Sequence, residues 1–194
     1  MASPPHFDQH QVVQRATRQF WRYGYAGTSV QDLVEVTGIN RASMYGTFGD
    51  KRGLFMRCIE QYTEEVSARR QALLDGPGPA PDCIQAYFED LVESSTRDHQ
   101  HLGCLLTNSA LEIAPHDAEV KQRLNERLQG LEQAFEVLIA RGQDEGDLPP
   151  SLDARQCARY LVSNIQGIRV MARLGSPSQT LWDIADTTLK TLAG

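Results

Sequence analysis

Nowhere in the 194 residues does an apolar run approach the ~18 residues needed to cross a bilayer. The opening Met-Ala-Ser-Pro-Pro-His has neither a basic region nor an apolar core, so it does not read as a secretion signal. Cysteine is scarce: Cys58, Cys83, Cys104 and Cys157 lie far apart, with no C-x-x-C pair among them. Thiols so spaced are expected to be reduced, in a cytoplasmic protein. No stretch alternates apolar and polar residues at the period of a strand. A basic excess is missing too, since the formal net charge is −6. That is a poor first sign for a nucleic-acid binder.

The charge is unevenly spread. Residues 1–55 hold six basic residues (Arg15, Arg18, Arg22, Arg41, Lys51, Arg52) against four acids (Asp8, Asp32, Glu35, Asp50), a net of +2. The remainder holds thirteen basic and twenty-one acidic residues, a net of −8. The N-terminal part can therefore face phosphate while the rest keeps an acidic surface. At this length the chain can bury a real core as one unit or two small ones.

Helical signals run throughout. Val13, Ala16 and Phe20 share a face of a first helix over 7–23, with residues 1–6 as a loose arm before it. Thr28 with Gln31 has the spacing of a capping box, Leu33, Val34 and Val36 follow, and Gly38 is a C-terminal stop. Asn40 caps a second short helix with Met44 and Phe48 inward, and Asp50 caps a third. Two short helices about a glycine turn form a helix-turn-helix candidate, with the second helix offered to a major groove. Its outward residues, Arg41, Ala42, Ser43, Tyr45, Gly46 and Thr47, carry no large aliphatic group. Arg41 can reach a guanine edge or a phosphate, and Tyr45 a phosphate. Ala42 and Gly46 let the backbone approach, Lys51 sits at a helix start suited to phosphate, and Thr28 at the start of the first short helix is counted with them as a DNA contact. The same residue types also suit a merely solvated face, and the pattern leaves that reading open.

Gly24-Tyr25, Thr28-Ser29, Gly38-Ile-Asn-Arg-Ala-Ser-Met-Tyr45, Phe48 and Asp50-Lys51 together resemble the DNA-binding domain of the TetR (tetracycline repressor) family, without a gap over about the first 55 residues. One departure is Gly46, where relatives often carry an aromatic or polar side chain. The resemblance implies an all-α fold of about nine helices. A helix-turn-helix domain would span 1–52 and a ligand-binding and dimerisation domain 53–194. It implies a homodimeric repressor of a palindromic operator, released by a small-molecule inducer, with no cofactor and no catalytic residues.

Further helices are expected over 51–74, 82–97, 103–113, 116–141 and 153–174, with the 103–113 segment central and buried. Asp75-Gly-Pro-Gly-Pro-Ala-Pro81 breaks the chain between the first two. Ser176-Pro-Ser-Gln179 has the form of another capping box, opening a last helix. The last two helices carry apolar residues on more than one face. In the resembling family these helices form a four-helix dimer interface, which points to Gly167, Ile168, Met171, Trp182, Ala185 and Leu189. Burial of the same residues in the subunit's own core is the alternative. Polar residues on otherwise apolar helices (Tyr62, Tyr87, Asn108, Glu112, Gln166, Arg169) need partners, either internal or a ligand. Tyr62, Phe88, Cys104, Asn108 and Gln166 are the candidate lining of an inducer cavity. His99, His101 and Cys104, with His116, have metal-ligand chemistry but match no standard spacing. Cys104 near a helix start could instead act as a reactive thiol, or serve a helical enzyme with those histidines.

Overall fold

The computed structural model describes residues 7–98 and 100–192. The proposed arm at 1–6 and His99 lie outside the described residues. These residues form nine α-helices and no strand: α1 Gln9–Tyr23, α2 Val30–Thr37, α3 Arg41–Phe48, α4 Lys51–Leu74, α5 Ala80–Arg97, α6 Leu105–Glu112, α7 Ala118–Glu145, α8 Ala154–Arg173 and α9 Ser178–Lys190.

Side-chain caps fix most helix starts. Asn40, Asp50 and Asp153 accept hydrogen bonds from Ser43, Gly53 and Gln156 N–H groups, as their positions suggested. The cap of α2, however, is Ser29 rather than Thr28. The Ser29 hydroxyl accepts from Asp32 N–H, and the Asp32 carboxylate accepts from Ser29 N–H. Thr28 is buried and donates to the Gly24 carbonyl at 2.7 Å. The expected box at Ser176 also fails. Pro177 holds the cap position of α9, with no side-chain cap hydrogen bond. Leu111 is 72% exposed, so α6 is a surface-lying helix with one buried edge rather than a central one.

Two hydrophobic cores share the long helix α4. The first unites Val13, Phe20, Leu33, Met44 and Phe55 of α1–α4 with Leu105, Val120 and Leu124 of α6 and α7. Phe55 meets Phe20 edge-on at 5.1 Å between ring centres and Tyr25 at 5.0 Å. The second joins Leu74, Phe88, Leu91, Phe135, Ile139, Leu161, Ile165 and Leu181 of α4, α5, α7, α8 and α9. Ile168 and Ala185, expected at a dimer surface, are also in it, at 0% and 1% exposure. They face inward because Ile168 lies seven residues from Leu161 and Ala185 four from Leu181, on the same helical face in each case.

Candidate nucleic-acid interface and effector cavity

Helix α3 is held only on its inner edge. Met44 is fully buried, whereas Arg41, Ala42, Tyr45 and Gly46 are exposed and Ser43 and Thr47 half-buried. A Cβ built on Gly46 meets nothing within 4 Å, so nothing in the fold forbids a larger residue there. Arg41 leans on α2, its guanidinium donating to Gln31 Oε1 at 3.2 Å. Two glycines with left-handed φ, Gly38 at 75° and Gly49 at 80°, end α2 and α3 and set the turn on either side. The result is a short helix with a polar outer face on a braced platform.

Two residues assigned to that face sit elsewhere. Thr28 has no exposed atom to offer, and its exposed neighbour Ser29 is the cap. Lys51 is half-buried, with Nζ 4.3 Å from the centre of the Tyr25 ring. Burial holds its ammonium below the ordinary lysine range, against the opposing pull of Glu112 and Asp32.

The platform is clamped to the rest of the chain by charge. Glu112 at the end of α6 accepts from Tyr25 N–H at 3.1 Å and Ala26 N–H at 2.8 Å. At the start of α4, Arg52 makes a bidentate pair with Asp117, at 2.7 and 3.0 Å, and reaches Glu119 at 2.8 Å. The Arg52 hydrogen bonds, with the α7 backbone, hold the Asp117 carboxyl down to about 2. The Trp21 indole N–H donates to the Leu102 carbonyl at 3.0 Å.

Behind the platform lie two cavities of about 470 Å³ each, the first lined mainly by α4, α5 and α8 and the second mainly by α4, α6, α7 and α8. Tyr62, Cys104, Trp21, Arg70 and Arg169 line the first. Gln166, Thr107, Tyr87, Leu131, Arg70 and Arg169 line the second. Phe88 and Asn108 do not belong to this lining. Phe88 is fully buried against Tyr87, and the Asn108 amide donates to the Leu102 carbonyl at 2.9 Å. Sequence reasoning missed Arg70, although it follows Ile59, Tyr62 and Val66 on the inward face of α4.

Cys104 is 3% exposed, with the Tyr62 hydroxyl donating to its sulfur at 3.7 Å. Burial pushes the thiol up, but the Arg169 charge and hydrogen bonds from Thr107 and Tyr62 outweigh it, so it ionises below its ordinary value. Tyr62 is pushed up by burial. Cys58, deep in the first core, is an inert contrast, raised to about 12 by burial. Among the described residues no three His, Cys, Asp or Glu side chains cluster as metal ligands.

A short capped helix presented by a braced turn, backed by a helical body with internal cavities, defines a helix-turn-helix regulator. The model of bacterial regulatory proteins of the tetR family matches residues 12–58, and that of the tetracyclin repressor-like C-terminal domain matches residues 80–185. The chain is 34% identical over 187 residues to the uncharacterised regulator YezE of Bacillus subtilis, spanning 96% of both chains. It is 30% identical to the transcriptional repressor ComR of Escherichia coli, over 96% of this chain and 90% of that one. A cysteine-substituted variant of the regulator CifR, solved with 26-bp operator DNA, superposes with a TM-score of 0.89 at 28% identity, over 98% of this chain and all of that one. The chain belongs to the TetR family of helix-turn-helix transcriptional regulators.

Proposed function

We propose that the protein is a homodimeric repressor that sets α3 of each subunit in a major groove of a palindromic operator and lets go when a small molecule fills the cavities behind α4. The observation that carries the reading is the outer face of α3, where Arg41, Tyr45, Ala42 and Gly46 are exposed and unclaimed by packing. Ser43 and Thr47 flank them for phosphate or base edges. Residues 1–52 would form the DNA-binding unit and 53–194 the effector and dimer unit, with α4 running through both. The dimer would use Gly167, Met171, Trp182 and Leu189, joined by the exposed Tyr160 and Leu174 on the stripe of α8 that holds Gly167 and Met171. The working compartment would be the cytoplasm, and no catalytic step is assigned. For release, the effector must favour the conformation that does not fit DNA, since equal affinity for both shifts nothing.

The test is binding to DNA upstream of the protein's own gene, with duplexes selected from a random pool as the second source of operator. Tyr45→Ala should weaken operator binding about tenfold, the scale of one good contact at a DNA interface. Lys51→Ala should act by loosening the Tyr25 contact, with a smaller change in salt dependence than Arg41→Ala. Failure to select any duplex would sink the reading.

A second reading, release by thiol modification, is favoured by the lowered pKa of Cys104 and its place on a cavity wall. N-ethylmaleimide would be the probe: the thiolate adds across its double bond, a C–S bond forms and the adjacent carbon takes a proton. Treated wild type should lose operator binding while Cys104→Ser keeps it. Equal loss in both proteins rules the thiol out.

A further inference from the structure

The cavity bounded by α4, α6, α7 and α8 has an apolar wall, including Leu74, Leu106, Leu128 and Leu131, and an unusual set of buried polar groups. Arg169 is 8% exposed and has neither a hydrogen bond nor an ion pair among the described residues. Gln166 accepts from the Thr107 hydroxyl through Oε1 at 2.8 Å, which leaves its buried Nε2 donor without a partner. Arg70 Nε is buried and has no hydrogen bond either. Its nearest carboxylate oxygen, on Asp90, is 3.6 Å away, and Arg69 holds the other oxygen of that carboxylate. Three side chains with hydrogen bonds to spare, two of them cationic, thus line one apolar chamber, although Arg70 keeps its long ion pair with Asp90 and lies 5.6 Å from the centre of the Tyr87 ring. At its rim the exposed Glu126 and Arg127 offset each other. The group placed to answer the Arg169 charge is the Cys104 thiol when ionised.

Buried donors and cations left unpaired are costly, and a planar guanidinium is matched best by a two-oxygen anion. We propose that the effector of this protein is an amphipathic organic anion, a carboxylate or sulfonate on an apolar body, whose oxygens are taken by Arg169, Arg70 and Gln166. The inference rests on the reading of this cavity as the effector site. Arg70 lies on α4 and Arg169 on α8, so one anion between them ties the helix that begins beside α3 to the body of the subunit.

The test uses two fluorescent dyes with the same aromatic body, 8-anilinonaphthalene-1-sulfonate and the uncharged N-phenyl-1-naphthylamine, titrated into the full chain without DNA. Wild type should bind the sulfonate at least tenfold more tightly than the amine, and octanoate but not octylamine should displace it. Arg169→Met should bring the ratio close to one, while Arg169→Lys, which keeps the charge, should retain part of the preference. Gln166→Leu should reduce it by a few fold and serves if Arg169→Met does not fold; thermal melting and operator binding of each variant report folding. Equal affinities in wild type, a ratio unmoved by Arg169→Met, or no dye binding would overturn the proposal. A sulfonate preference that never alters operator binding would leave the anion site standing and remove its effector role.

Discussion

Gly24→Ala should destabilise the protein by about 3 kcal/mol, combining backbone strain with a lost charge-assisted contact. Gly24 has φ 77° and ψ 173°, a conformation that side-chain-bearing residues avoid. A Cβ there would stand 2.7 Å and 2.9 Å from the two Glu112 carboxylate oxygens. Those oxygens hold the Tyr25 and Ala26 N–H groups, so the methyl strains the turn and expels its clamp together. At this chain length 3 kcal/mol corresponds to a fall of about 10 °C in melting temperature, readable by calorimetry. Glu112→Gln is the informative partner, because it keeps one acceptor and relieves no backbone. About 1 kcal/mol is expected from it, as for one ordinary hydrogen bond. It should also blunt effector-driven release, since α6 supplies Glu112 to the head and Leu106, Thr107 and Ala110 to the cavity. A Gly24→Ala protein that melts with wild type would show that the turn relaxes and that Glu112 does not hold the head.

The head was legible in sequence because its signals are local. Asn40 and Asp50 cap the helices that follow, and Gly38 supplies the left-handed stop, all within a few residues of what they control. Where two local signals competed, sequence could not choose. Thr28 with Gln31 and Ser29 with Asp32 share one spacing, and burial of Thr28 beneath the Gly24 carbonyl decides between them. The second half depends on which helix faces which, and that is not a local property. Ile168 and Ala185 look as available for a partner as Gly167 and Met171 until α5, α7 and α9 are packed around them. Phe88 and Asn108 have the chemistry of a lining, yet one is enclosed in the core and the other is bound to a loop carbonyl. Arg169 was visible as a polar residue on an apolar helix. That it makes no hydrogen bond and no salt bridge among the described residues is a fact of three dimensions.

Gly167→Arg should leave each subunit folded and reduce operator affinity by about 100-fold, the scale of losing the second of two linked sites. The argument begins with space. A Cβ on Gly167 meets nothing within 4 Å, although the residue lies in the middle of α8, where glycine costs about 1 kcal/mol relative to alanine. Within one subunit, then, a larger residue should be tolerated or even favoured. Glycine at such a place is useful if another helix comes close to it. Around it run Tyr160, 43% exposed, the half-buried Met171, and Leu174, 74% exposed, a run of apolar side chains on one side of α8. A second copy packed on that stripe would bring its own α8 against Gly167, and an arginine there would put a long charged side chain into the contact. Sedimentation should then show a monomer with wild-type helicity, and weak operator binding should follow from the single head. Gly167→Ala gives the opposite control, stabilising a subunit that is alone and disturbing one that is closely paired. A Gly167→Arg protein that remains dimeric and binds operator normally would move the interface off this stripe of α8 and leave Leu174 exposed without a partner.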